Sequence, residues 1–169
     1  MTRSVRGLDR PGDDDLLQAL LETDPGYAER VTGYPPGPSD GYSTLTVVPP
    51  DFDPADKHVI GLFDGERLVA AADVLHGYPA AGTAFVGLLL VDGTSRGAGL
   101  GRAMHDEVVR LAREWGDVGT LRLAVVDTNA EVAAPFWERL GYRPTGETKP
   151  WVYDRLESTT RLWERPLDG

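Results

Sequence analysis

The stretch from Thr83 to Trp115 constrains the fold most. Thr83 to Val91 is an almost unbroken apolar run of strand length, the pattern of a strand buried on both faces and so central in its sheet. A polar, glycine-rich turn follows. Then Leu100, Met104, Val108, Leu111 and Trp115 recur every three or four residues, which marks one buried face of a helix. Gly116 stands where a left-handed C-cap belongs. A buried strand passing directly into an amphipathic helix calls for a sheet with helices packed on it.

The remaining segments extend this pattern. Leu16, Leu17, Leu20 and Leu21 follow Asp13, Asp14 and Asp15; acids ahead of helically spaced leucines predict a first helix. Pro25 to Thr32 predicts a short second helix with proline in its first turn. Gly33 to Pro54 is rich in Pro and Gly and reads as one long loop. Val59–Phe63 and Arg67–Leu75 flank Asp64-Gly65, a hairpin signal. Leu121 to Val126 predicts a fourth strand. Thr128-Asn129-Ala130-Glu131 has the form of a capping box opening a helix that carries Val132, Ala133, Phe136, Trp137 and Leu140 and stops at Gly141. Pro135 inside it makes its first turn irregular. Strand-like pieces from Tyr142 and from Ser158 to Arg165 close the chain. The fold class is α/β (α+β): a mixed, central twisted β-sheet flanked by helices, in one domain spanning residues 1–169.

Composition excludes several functions. With no cysteine, the chain has no disulfide scaffold, thiol nucleophile or thiolate-held metal, and it suits a reducing compartment. No metal-ligand motif is present, and no metal is expected. The longest apolar run, Ala84 to Val91, is too short to span a bilayer, and residues 1–8 have no signal core; a cytoplasmic protein without a membrane partner is the expectation. A net charge of −10 disfavours nucleic acid, which wants a basic face. Residues 1–92 hold 15 carboxylates against 6 Lys and Arg, whereas residues 93–169 hold 12 against 11. That asymmetry fits a cationic partner on one side and an anionic one on the other, or solvated acidic loops.

The chemistry concentrates in Val91-Asp92-Gly93-Thr94-Ser95-Arg96-Gly97-Ala98-Gly99-Leu100-Gly101-Arg102. Glycines 97, 99 and 101 keep side chains away from a helix entrance, where backbone N–H groups and the helix dipole favour an anion. Arg96 and Arg102 add charge. A phosphate or pyrophosphate cradle is the prediction. A Walker loop fails because Arg102-Ala103 stands where Lys-Ser/Thr is needed. A dinucleotide fingerprint fails on glycine spacing and on the long gap after Val91.

Arg96-x-x-Gly99-x-Gly101 after a strand valine resembles the coenzyme A pyrophosphate loop of the GNAT acetyltransferase superfamily. Asn129, Ala133 and the run Phe136-Trp137-Glu138-Arg139-Leu140-Gly141-Tyr142 resemble its second motif, in the family's order. The resemblance covers Arg67 to Tyr142. It implies acetyl-CoA as acyl donor and transfer of acetyl to an amine, of a small molecule or a peptide, by direct attack in a ternary complex. Leu89, Leu90 and Val91 would offer amides to the pantetheine arm and polarise the thioester carbonyl. Arg96, Gly97, Ala98, Gly99, Leu100, Gly101 and Arg102 would hold the pyrophosphate, Asn129 would bond the pantetheine and Phe136 would pack on it. The first two helices, the Pro-rich loop and the region of Trp151 would shape the acceptor pocket. Homodimers are common in the family.

The sequence departs from the family where proton transfer is concerned. Trp137 replaces the tyrosine that many relatives use as an acid, and Phe85 and Ala124 stand where some relatives place a glutamate base. Releasing a thiol of pKa near 8.5 as thiolate at pH 7 costs ~2 kcal/mol, while deprotonating an amine of pKa near 10 costs ~4 kcal/mol, so the base is the larger need. A water chain, a weakly basic acceptor or an unplaced residue could meet it. Candidate ionisable groups are Asp73, His76, Asp127 and Tyr142. Against these roles, Asp73 reads as a solvent-facing strand residue, His76 as a loop histidine and Tyr142 as packing on the sheet; His105 reads as structural. Trp137 and the missing carboxylates also fit a non-catalytic acyl-CoA-binding or sensing domain.

Overall fold

A computed structural model describes residues 2–95 and 97–168. Arg96 lies outside the described residues. The described chain forms one seven-stranded sheet in the order β1-β2-β3-β4-β5-β7-β6. The strands are β1 (Arg3–Gly7), β2 (Lys57–Asp64), β3 (Arg67–His76), β4 (Thr83–Val91), β5 (Thr120–Val126), β6 (Arg143–Tyr153) and β7 (Leu156–Pro166). The helices are α1 (Asp13–Glu22), α2 (Pro25–Thr32), α3 (Asp40–Thr46), α4 (Leu100–Trp115) and α5 (Ala130–Arg139), with one-turn 3-10 helices at Pro54–Asp56 and Asp127–Asn129. The mixed sheet with flanking helices is as expected, and β4 is its middle strand.

Among the described residues only β4 and β5 pair in parallel, and α4 makes the crossover that a parallel pair requires. α4 and α5 cover one face: Met104, Val108 and Ala112, each 0% exposed, pack with Ala72, Val74, Val86 and Leu123. α1 and α3 cover part of the other, where Leu17, Leu20 and Leu21 meet Leu68, Ala71 and Leu90, with Leu45 against them.

Three features differ from the sequence expectation. The 33–54 segment contains a helix, α3. It is held not by an apolar stripe but by Gln18, whose Oε1 accepts from Gly41 N and whose Nε2 donates to Gly37 O, both at 2.8 Å. A Cβ on Gly41 would come within 2.4 Å of Asp14 O, so the two helices touch backbone to backbone. β1 has one apolar residue and pairs at the sheet edge with β2; β2 imposes its extended form. The third feature is Asp13, which is 2% exposed and not a solvated helix-start acid. Its carboxylate takes Arg6 Nη1 at 2.9 Å, Arg6 Nη2 at 3.0 Å and the Arg10 amide at 2.9 Å, which ties β1 to α1.

The Arg6 guanidinium beside Asp13 holds its carboxyl below the usual carboxylate range, in spite of burial. A carboxyl depressed in the folded state stabilises the fold above its unfolded value, and that stability is lost as pH falls through the folded value. Asp13→Asn should therefore lower stability at pH 7 by about 1–3 kcal/mol and flatten the acid limb below about pH 4. Urea unfolding of both proteins at pH 7 and pH 3 checks it; an unchanged acid limb would refute the clamp.

Candidate active site

The site begins where the sheet opens. β4 pairs with β5 only from Thr83–Val86 against Thr120–Leu123. Beyond that point β4 stays with β3 as far as Val91, and β5 stays with β7 as far as Val126. The two strands part, and the β4 backbone groups that face β5 lose their ladder partners. At the parting the β3–β4 register shifts between Asp73 and Val74, which leaves Gly87 as an extra, exposed residue. A Cβ there would lie 2.9 Å from Asp73 Oδ2, so any side chain at this position would have to displace the Asp73 carboxylate.

The loop after β4 is anchored by Asp92, 1% exposed. Its Oδ1 accepts from Thr94 N at 2.8 Å and Thr94 Oγ1 at 2.6 Å, and its Oδ2 pairs with Arg67. Burial opposes ionisation, but the Thr94 bonds and Arg67 outweigh it and lower the pKa. Gly93 N donates to Thr23 Oγ1 at 3.0 Å, which pins the loop to the end of α1. Gly97 and Gly99 have φ of 82° and 76°, the left-handed region that favours glycine, and a Cβ on either would meet open space. Gly101 does something else. A Cβ there would lie 2.7 Å from the Phe136 ring, so the bare Cα of this first-turn residue seats α5 against α4. No side chain caps α4 at Gly99, so its first-turn N–H groups and its dipole face an opening that suits an anion.

A cleft of about 460 Å³ runs from this loop along the end of β4 to α5, within the usual range for small-molecule sites. Leu89, Leu90 and Val91 form one wall, Gly97, Gly99, Leu100, Gly101 and Arg102 one end, and Asn129, Ala133 and Phe136 the other wall. Ala98 is exposed in the loop and does not line the cleft. Asp24, Tyr27 and Arg30 of the α2 region complete the lining. Nothing in their spacing marks them in the sequence; the fold delivers them. Arg30 Nε donates to Asn129 Oδ1 at 2.7 Å and Thr128 Oγ1 donates to Arg30 O, so these side chains bridge to α2 and the expected capping box does not form. Burial pushes Tyr27 up to about 12, against the pull of Arg30, so its hydroxyl is protonated at neutral pH.

The four candidate ionisable groups scatter. His76 stacks on Trp115 at 4.1 Å and pairs through Nε2 with Asp117 Oδ1 at 2.7 Å. It sits at the far end of α4, roughly 22 Å from the loop by helix rise, not beside the cleft. Tyr142 is 0% exposed, and its hydroxyl lies 2.8 Å from His105 Nε2; it is a core residue, pushed up by burial. Asp127 is held by Arg161 Nε at 2.8 Å and does not line the cleft. Asp73 is not solvent-facing. It pairs with Lys57 Nζ at 2.9 Å, burial raises its pKa, and its Oδ1 has no hydrogen-bond partner. Of the four, it alone lies against the parting, under Gly87. Nearby on β5, Arg122 is held by Glu164 at 2.5 Å and Glu147 at 2.6 Å. Trp151 Nε1 donates to Val31 O at 2.9 Å, bringing the β6–β7 hairpin onto α2. Trp137 packs edge-on against Phe136, His105 and Tyr142.

This packing sets the cost of two substitutions and one titration. Gly101→Val should cost about 1–3 kcal/mol of stability by overpacking against Phe136, read as a lower melting temperature; Gly99→Val carries only the left-handed backbone cost, about 1–2 kcal/mol. His105 is held down to about 4, by burial first and then by Arg165 and Arg102. A depressed histidine makes the unfolded state the better proton binder, so stability should decline as pH falls from 6.5 towards 4, by up to about 3 kcal/mol. Urea unfolding across that range should show a smaller decline in His105→Asn.

Comparison with known proteins gives the family. No curated protein matches the chain. Among solved structures, an acetyltransferase from Thermus thermophilus is similar at 27% identity and a TM-score of 0.72, covering 98% of this chain and 97% of that one. A putative acetyltransferase of the GNAT family from Desulfovibrio desulfuricans is 18% identical with a TM-score of 0.76, covering 98% and 99%. The ribosomal-protein-S18-alanine N-acetyltransferase from Escherichia coli is 17% identical with a TM-score of 0.70, covering 98% and 94%; these last two share the fold. The sequence model of the Acetyltransferase (GNAT) family matches residues 18–142. Matched over most of its length, with a sheet that parts above a glycine loop, this chain belongs to the GNAT acetyltransferase family.

Proposed function

We propose that this protein is an acetyl-CoA-dependent N-acetyltransferase acting on a cationic amine, by direct attack in a ternary complex. The single observation that carries the reading is the cleft. It joins an uncapped helix N-terminus, suited to a pyrophosphate, to a strand edge with free amides. When bound, acetyl-CoA would supply an activated acyl carbonyl.

The chain's own residues divide the rest of the work. Gly97, Gly99 and the first-turn amides of α4 hold the pyrophosphate, with Arg102 beside them and Arg96 assigned here by its place in the motif. β4 from Leu89 to Val91 presents amides to the pantetheine arm and the carbonyl, where a fixed donor stabilises developing negative charge. Phe136 packs against the arm. Asn129 shares it with Arg30. Tyr27 is the one phenol on the cleft among the described residues, and its hydroxyl donates a hydrogen bond to the departing sulfur, where the Trp137 indole has no proton to give up near neutral pH. On the α1 face of the sheet, Asp73 and the Glu147–Arg122–Glu164 group put more negative than positive charge near the parting, which draws a cation. The attacking nitrogen loses its proton to water at this acidic face.

Trp137 also favours a second reading, a domain that binds acyl-CoA without transferring it. One assay separates the two. The protein is incubated with acetyl-CoA and a panel of polyamines, amino acids and peptides, while free thiol and product mass are followed. Transfer to cationic amines, weakened by salt, is the expected outcome. Tight binding with no product across the panel would establish the second reading, and no thermal shift with millimolar acetyl-CoA would refute both. Tyr27→Phe should lower kcat by about tenfold or more, as loss of a hydrogen bond to a charged group does, with little change in coenzyme A affinity.

A further inference from the structure

Asp13, Asp73 and Asp92 are largely buried carboxylates, and two of them are saturated. Asp13 takes both Arg6 nitrogens and the Arg10 amide. Asp92 takes Thr94 N, Thr94 Oγ1 and Arg67. Asp73, its side chain 14% exposed, takes only Lys57 Nζ, on Oδ2, and its Oδ1 has no partner among the described residues. A carboxylate can accept about four hydrogen bonds. Burial accordingly raises the Asp73 pKa, whereas those of Asp13 and Asp92 are lowered.

Asp73 also lies where the sheet is bare. It pairs across strands with Leu88, beside the extra residue Gly87. Gly87 is exposed, and a Cβ on it would stand 2.9 Å from Asp73 Oδ2 and 3.6 Å from Cγ. The register that ends at Val86 and Leu123 brings Ala124 next to Gly87, and Ala124 is exposed as well. Two exposed residues with almost no side chain, on two interior strands, make a trough. It is on the face away from α4, since Ala72, Val74, Leu123 and Val125 point into the α4 core.

We infer that this trough holds the acceptor and that Asp73 is its specificity residue, binding the second ammonium group of a short diamine rather than the nitrogen that is acetylated. The inference rests on the acetyl-transfer reading above. An attacking nitrogen must be uncharged, and a carboxylate against it would keep it protonated. The amides assigned to the thioester carbonyl, Leu89 to Val91, lie further along β4. From Leu88, opposite Asp73, to Leu90 is about 7 Å along the strand, roughly the reach of a four- or five-carbon spacer. Half-buried Leu88 offers that spacer an apolar wall. Lys57 cancels one charge, but Glu147 and Glu164 on the single Arg122 leave the face net negative. An ammonium bound here gives Asp73 the second donor it lacks.

Steady-state rates with acetyl-CoA and 1,4-diaminobutane or 1,5-diaminopentane, each against the monoamine of equal length, test it. The wild type should favour the diamine by about tenfold or more in kcat/KM, beyond the roughly twofold that two equivalent nitrogens give. Asp73→Asn should remove most of that preference through a higher KM for the diamine, with kcat and the monoamine nearly unchanged. Gly87→Ala, which sets a methyl against the carboxylate and leaves Lys57 in place, should do the same, and it decides the matter if Asp73→Asn fails to fold. Calorimetry should give both variants the wild-type affinity for coenzyme A. Equal or poorer use of the diamines by the wild type, or a preference that survives both substitutions, would overturn the inference and leave acetyl transfer standing. Transfer to no amine would overturn that reading and the inference with it.

Discussion

Buried backbone amides and carbonyls must be paired, and this fold leaves a run of them in its middle strand without a neighbour. β5 leaves β4 past Val86 while staying with β7 as far as Val126. β4 stays with β3 to Val91 through a register shift beside Gly87, and the buried Asp92 then turns the chain into α4. The gap is kept open from below by α5, which reaches α4 because Gly101 admits the Phe136 ring. The free strand edge, the uncapped helix end and the α2 residues that close over it lie together on this side of the fold.

Charge is sorted along the same axis. The acidic excess of residues 1–92 is partly structural, since Asp13 and Asp92 are buried against Arg6 and Arg67 and Asp73 is paired with Lys57. The cations of the second half are the more informative set. Arg102, Arg113, Arg139 and Arg165 lie far apart in sequence, yet the packing of α4, α5 and β7 gathers them around one cleft. The acidic groups at the strand parting, Glu147 and Glu164 on Arg122, belong to the opposite face. Field lines focused by such a division steer anions and cations to different approaches.

Legibility follows the range of the interactions. α4, whose stripe is local and strong, occupies the residues its periodicity predicts, and its Gly116 cap has a φ of 79°. α2 also occupies its predicted span. The Asp64-Gly65 signal marks a hairpin, with Gly65 at φ 61° in its turn. β1 and α3 are illegible because neither has an apolar pattern of its own: β1 takes its form from β2, and α3 from Gln18. The capping-box pattern at Thr128 misleads because those side chains find Arg30, about a hundred residues away in sequence. Of the ionisable candidates, sequence reads His76 as a loop residue after a strand, whereas it is the last residue of β3, and it places Tyr142 after a helix without saying which face or depth it occupies.

The sequence by itself determined a mixed sheet, its middle strand and a glycine loop at the mouth of an amphipathic helix. These depend on hydrophobic period and on backbone preference, both carried by neighbouring residues. Only the tertiary structure decided that β4 and β5 part, that Gly97 and Gly99 border an opening while the bare Cα of Gly101 also admits the Phe136 ring, and that distant arginines share a cleft. Those facts depend on which surfaces meet, and contact between segments far apart in the chain leaves no local signature.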